Sequence, residues 1–443
     1  MNIDMTNGQT TQNLLRFSVP LFCGSILQNL YNLIDTVIVG RFVGKEALAT
    51  VGNLFAPTLF VNSIIAGSAS GITILISYYF GNRNQTAIQR MYRSIAKLAI
   101  ILSCLLLPLC MIYIKPVLGC MKIPPNMLSG GCLYFRIIAW GFPFLIIYQY
   151  LSAIYKGFGN SKTPLSFLLL SSLSNLFLDI VFIVVFHAGI AGVALATVIA
   201  QAISAICMIA YFTSKEKFSL KPLWNTRTND WINIYHILKF GITSTFQNSF
   251  SAISMMYVQY IVNGFGVDVI SAFSAAYKIE SLLTIPAVSL GSSLGVYVGQ
   301  NKGYGNSKKI IEGLHSAISF SLLLFLIVNF LVWSFGDKML RWIVGNESSV
   351  IYYGQIYLRI VAAFYFCLTM LYLLTNFLRA SGEVIYPIFN TFLELVSRVL
   401  LVYWLARGFG VIGVFLGRPI SFLISMLNLT IRYKNGKWKQ TIS

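Results

Sequence analysis

Residues 94–114 read SIAKLAIILSCLLLPLCMIYI, with one lysine in twenty-one positions. At 1.5 Å of rise per residue this run makes about 30 Å of helix, the thickness of a bilayer's hydrocarbon core. A transmembrane strand would need only about ten residues of alternating polarity, which this is not. Eleven further stretches of the same character lie at 15–38, 47–78, 133–155, 164–186, 190–212, 237–262, 269–298, 314–335, 354–378, 385–405 and 411–431. The expected fold is therefore all-α and integral to the membrane, with twelve transmembrane helices.

The composition of the 443 residues agrees with that reading: 57% are hydrophobic, 14% aromatic and only 10% charged. A soluble domain carries about 25% charged residues. So few charges cannot cover a water-facing surface, which excludes a soluble enzyme, a disordered chain and a nucleic-acid-binding module. The net charge of +19 sets topology instead. With the N-terminus inside, twenty Lys and Arg fall in inner segments and nine in outer ones, so both termini are expected in the cytoplasm. The polar N-terminus lacks a basic n-region, and the first apolar stretch reads as a retained span. The seven cysteines and three histidines show no metal-ligand spacing and no nucleophile–base arrangement. A Cys120–Cys132 disulfide is sterically conceivable in one outer loop, but small apolar fillers are the simpler reading.

The chain repeats itself. SILQNLYNLI (25–34) matches STFQNSFSAI (244–253), and the segment from Gly44 to Asn84 tracks Gly266 to Asn306. YFRIIA (134–139) matches YLRIVA (357–362), a register that runs on to KGFGNSKTP against RASGEVIYP. AGIAGVAL (188–195) matches FGVIGVFL (409–416), and all offsets lie between 219 and 223. Each copy holds six spans, so the copies share one orientation and should form two six-helix bundles related by a pseudo-twofold axis along the membrane normal. The expected division is a lobe at 1–212, a cytoplasmic connector at 213–236 and a second lobe at 237–443. Two matched lobes are an arrangement suited to a transporter that rocks about a central site.

Acids inside a membrane cost about 2.5–3.5 kcal/mol each on insertion scales, so each marks a functional candidate. Four of the thirteen acids fall within spans: Asp35, Asp179, Glu280 and Glu394. Gln28, Asn32 and Asp35 share one helix face, as do Ser171, Asn175 and Asp179, and Thr197, Gln201 and Ser204. Together these stripes offer two carboxylates, an amide and a hydroxyl, a donor set that suits sodium or a proton. The competing reading is that they only hold helices together. Glu394 and Arg398 have ion-pair spacing. Glu280 has no visible partner, since Lys278 lies two residues away on another face. Gln28, Tyr31, Asn32, Tyr148, Gln201 and Gln247 (the repeat counterpart of Gln28) are candidates to line a cavity for flat organic cations.

Pro20, LQNLYNLIDTVIVGRFVGKEALATVG (27–52), FGNRN (80–84), YKGFGNSKTP (155–164), NLFLD (175–179), AGIAGVALAT (188–197) and GQNKGYGN (299–306) carry a resemblance. In order and spacing, over nearly the whole chain, the sequence resembles the multidrug and toxic compound extrusion (MATE) family. The resemblance implies cation-coupled export of small organic compounds, with H+ or Na+ as the coupling ion and no other cofactor. It also implies a first-lobe coupling site matching Asp35, Asn175, Asp179 and Thr197, with span 1 hinged near Pro20. The family's other pattern, acids on spans 7 and 10, is missing here, and Glu280 and Glu394 sit on spans 8 and 11. The partners expected are small cationic substrates and lipid; no nucleic acid is expected, and the chain reads as a monomer. The alternative is a flippase for lipid-linked saccharides, which should show a cationic cavity.

Overall fold

The computed structural model describes residues 2–44, 47, 50–52, 54–120, 125–216 and 230–441. Among them the chain is helical and contains no strand. The helices are α1 (Thr10–Ile38), α2 (Phe55–Gly81), α3 (Gln85–Cys120), α4 (Pro125–Gly157), α5 (Lys162–Asp179) and α6 (Gly189–Glu216). The second copy supplies α7 (Asp230–Val262), α8 (Val267–Tyr304), α9 (Ser307–Val344), α10 (Ser348–Ala363), α11 (Tyr365–Ser381) and α12 (Ile385–Lys434).

By length and apolar composition, eight helices among the described residues can cross a membrane, and α10 with α11, bent by 48°, make a ninth. The tenth expected span is thus one broken helix. The eleventh and twelfth run together as α12, which turns at Gly410 into arms at 385–409 and 411–434. α1 and α7 carry more polar residues along their length, among them Gln28, Asn29, Asn32 and Asp35 in α1 and Thr243, Ser244, Thr245, Gln247 and Asn248 in α7. Most of the expected connector, 217–229, lies outside the described residues, as do the loop at 121–124 and the Cys120 side chain; Cys132 is a buried free thiol.

The repeat reappears as backbone conformation. Gly44 has φ 110° and ψ 174°, and its counterpart Gly266 has φ 94° and ψ 169°. Gly189 and its counterpart Gly410 have φ 57° and 58°. Both pairs sit in the half of backbone space that residues with a Cβ rarely enter. Asn84 Oδ1 accepts the Ala87 N–H at 3.0 Å at the start of α3, and Asn306 Oδ1 accepts the Lys309 N–H at 3.1 Å at the start of α9. Each is an N-cap at the same place in its copy.

The chain forms two compact units. One contains residues 1–2, 23–80 and 84–242; the other contains 3–22, 81–83 and 243–443. The first helix of each copy is therefore divided, a few residues past Pro20 in α1 and at the matching place in α7. In the first unit the start of α7 lies on α2 so closely that a Cβ on Gly71 would be 2.1 Å from the Ile237 carbonyl oxygen. Small residues permit this approach. Lys97 Nζ pairs there with Asp230 at 2.5 Å. In the second unit the start of α1 lies on α8: Thr10 Oγ1 and Tyr297 OH are 2.9 Å apart, and Ser293 Oγ donates to the Leu14 carbonyl at 3.0 Å. The core of the first unit includes Ile72, Ile76, Phe142 and Ile146; that of the second includes Ala276, Leu294, Phe377 and Phe415, all buried.

Candidate cation site

Asp35 and Asp179 each stand at the approach to a π-helical segment. α1 passes into one at Val39–Val43, and α5 ends at Asp179 and passes into another at Ile180–Val185. A π turn carries an extra residue, which re-aims the side chains around it and is common at functional positions. The two π segments touch within the first unit. Asp179 is almost fully buried and Asp35 half-buried.

The Asn175 amide nitrogen donates to Asp179 Oδ2 at 2.7 Å and to the Tyr31 hydroxyl at 2.9 Å, while its oxygen accepts the Thr197 N–H at 3.0 Å. The opposite amide orientation would set its oxygen against the carboxylate and keep only a 3.3 Å contact to Thr197 Oγ1. The first orientation is the one in which both ends of the amide find complementary partners. Asp35 and Asp179 lie close enough to interact with each other. Yet Asp35 Oδ1 and Asp179 Oδ1 are buried with no hydrogen-bond partner.

Two carboxyl groups in contact, each with an orphaned oxygen, need positive charge between them. A proton would convert one into a donor. A sodium ion would meet carboxylate oxygens and the nearby Thr197 and Tyr31 hydroxyls, a hard-cation donor set. Among the described residues no group of three or more His, Cys, Asp or Glu side chains is placed to hold a metal ion.

The four residues expected to form the coupling site thus lie together. Tyr31, a candidate to line a substrate cavity, accepts a hydrogen bond from Asn175. Tyr134, which sequence reasoning passed over, is buried and interacts electrostatically with both acids; its place in the repeated YFRIIA segment was the available signal. Gln28 and Asn32 are exposed on α1 and Gln247 is half-buried on α7. Tyr148 donates to the Pro164 carbonyl at 3.1 Å. Gln201 lies over Gly141, where a Cβ would come within 2.6 Å of its Oε1. Pro20 lies inside α1.

In the second unit Glu394 and Arg398 form the expected ion pair. The expectation that Glu280 stands alone is corrected: Arg418 Nη1 donates to Glu280 Oε2 at 2.7 Å, and Tyr357 OH donates to the same oxygen at 2.5 Å. Spacing along one helix could not reveal a partner 138 residues away.

The MatE family model matches residues 20–181 and 241–404. The probable multidrug resistance protein YpnP of Bacillus subtilis is 28% identical, over 98% of this chain and 97% of its own length. The probable multidrug resistance protein YoeA of the same organism is 25% identical, over 96% and 93%. Among solved structures, the outward-facing conformation of a multidrug resistance MATE family transporter of the MOP superfamily has a TM-score of 0.90 at 20% identity, covering 99% of both chains. That likeness is one of fold.

Proposed function

The chain belongs to the MatE family, multi-pass membrane transporters rather than enzymes, and from that premise we propose that it exports small organic cations in exchange for H+ or Na+ entering at the Asp35–Asp179 site. The observation that carries this reading is the pair of orphaned carboxylate oxygens on Asp35 and Asp179. A ligand drives a conformational change only through different affinities for the two states. A cation between these carboxyls ties the outer part of α1 to α5. Its departure leaves two anions facing each other and favours separation of the helices. α1 is suited to respond because Pro20 removes a backbone hydrogen bond within it. Asn175 and Tyr31 position Asp179, and Thr197 adds a hydroxyl from α6.

The asymmetry in Lys and Arg supports placing both termini in the cytoplasm of a bacterial inner membrane, with a single chain as the working transporter. A flippase for anionic lipid-linked saccharides would call for uncompensated intramembrane cations, whereas Arg398 and Arg418 each face an acid. The test is uptake of a fluorescent organic cation by proteoliposomes with sodium and proton gradients imposed separately. Stimulation by one gradient, lost in Asp35→Asn, supports the mechanism. Equal transport without either gradient overturns it.

A further inference from the structure

The repeat relates the cation site to a set of positions in the second unit. Continuing the registers of the matched segments, Asp35 corresponds to Ser254, Tyr134 to Tyr357, Asn175 to Arg398 and Thr197 to Arg418. These four second-unit residues also lie together. Arg398 Nη1 donates to Ser254 Oγ at 2.7 Å. Tyr357 and Arg418 both donate to Glu280 Oε2, at 2.5 and 2.7 Å. The Arg398 and Arg418 guanidiniums lie over one ring, that of Phe422, at 5.5 and 5.4 Å from its centroid. Where the first unit places an acid, an amide and a hydroxyl, the second places a hydroxyl and two guanidiniums. At the matched positions the second unit carries cationic side chains where the first carries an amide and a hydroxyl.

Glu280 and Glu394 balance the two arginines, but incompletely. Arg418 meets Glu280 through one nitrogen and one oxygen, although guanidinium and carboxylate can pair through two parallel bonds. The other carboxylate oxygen, Glu280 Oε1, and the guanidinium Nε of Arg418 are buried without a partner. Buried polar atoms in a low-dielectric interior are normally satisfied. One ion pair thus leaves an acceptor on its anion and a donor on its cation unfilled. Arg418 is also the most accessible of the four charged side chains, at 18% against 2% for Glu280, 5% for Arg398 and 10% for Glu394. Its guanidinium lies 5.3 Å from the Tyr277 ring centroid, so aromatic faces flank it.

We propose that this cluster is a binding subsite for aromatic zwitterions, with Arg418 taking the ligand's carboxylate and Glu280 its ammonium. The inference rests on the reading of the chain as an exporter of small compounds and adds a substrate class to it. A zwitterion supplies an acceptor for the unpartnered Nε of Arg418 and a donor for Glu280 Oε1 while leaving the site's net charge at zero. A simple cation supplies only the donor and would leave Arg418 facing it. Flat rings would lie against Tyr277 or Phe422, as the guanidiniums do.

The test compares ε-dansyl-lysine, a fluorescent zwitterion, with its methyl ester, which keeps the ring and ammonium but loses the carboxylate. Binding is measured on the purified protein in nanodiscs without any ion gradient, so the result does not depend on whether cations drive transport. The wild-type protein should bind the acid at least about tenfold more tightly than the ester, the effect of one charge-assisted contact. Arg418→Gln should collapse that ratio towards one, and Arg418→Lys should restore part of it. Because Arg418→Gln leaves Glu280 uncompensated, the neutral double variant Glu280→Gln/Arg418→Gln serves as a second reading, again with the ratio lost. A ratio near one in the wild-type protein, or a wild-type ratio in either glutamine variant, overturns the proposal. If neither compound binds while the organic cation of the uptake assay is still transported, the proposal falls and the exporter reading stands.

Discussion

Asp35→Asn separates a coupling site from a helix contact. Asparagine preserves the shape of the side chain and replaces one of two facing carboxylates with an amide. In the folded protein Asp35 faces Asp179, and each has one oxygen with no partner. The amide would give Asp179 a hydrogen-bond donor, a gain of about 1 kcal/mol, and would remove the repulsion between the pair. Thermal stability should therefore hold or rise slightly. Transport should move the other way. A lost charge at a cation-binding contact is worth about 1.5–3 kcal/mol, so gradient-driven transport should fall by roughly ten- to a hundredfold. The assay pairs thermal unfolding of purified protein with dye uptake in proteoliposomes at matched protein density. If the side chain only joined α1 to α5, the substitution would change stability and leave gradient dependence intact. That outcome, or wild-type coupling in both Asp35→Asn and Asp179→Asn, refutes the assignment.

Glu394→Gln should destabilise the second unit by about 3–5 kcal/mol, because Arg398 would remain buried without its carboxylate, and adding Arg398→Met should recover most of the loss in a thermal-unfolding series. Gly413→Ala should abolish folded protein on size-exclusion chromatography, because its Cβ would lie 1.9 Å from the Leu405 carbonyl oxygen; Gly189→Ala meets open space and should cost only about 1–2 kcal/mol for its positive φ. A membrane-impermeant maleimide added outside cells should label Asn346→Cys between α9 and α10 but not Asn84→Cys between α2 and α3, and the reverse pattern would invert the topology.

What the sequence made legible follows from which interactions are local. Four-residue spacing placed Asn175 above Asp179 on one face of α5, and that neighbourhood survives folding because helix geometry alone sets it. The repeat was legible because glycine at 44, 189, 266 and 410 answers a backbone demand that few other residues meet. The π segments after Asp35 and Asp179 left no pattern in hydropathy, since a one-residue change of pitch does not alter which residues are apolar. The Glu280–Arg418 pair was hidden because α8 and α12 meet only through tertiary packing. The divided packing of α1 and α7 was hidden for the same reason: both read as continuous spans, and tertiary contacts such as those of Leu14 and Ile237 reveal which unit holds each end.

The repeat also explains how one chain can hold two polar sites of different charge, an acidic pair in one copy and a neutral cluster in the other. Duplication supplies the same scaffold twice, so any change in one copy is free of the constraint acting on the other. In the first copy, Tyr134 and Asn175 surround carboxylates that lack a fixed counter-charge, which leaves them available to a mobile cation. In the second, the positions of Asn175 and Thr197 carry Arg398 and Arg418, and two fixed acids, Glu394 and Glu280, balance them within hydrogen-bond distance. Fixed charges of both signs make a neutral cluster, which has little to gain from capturing a lone proton or sodium ion. On the proposed mechanism ion loading therefore falls to the first unit, while the second keeps one acceptor and one donor unfilled for a ligand that brings both charges with it.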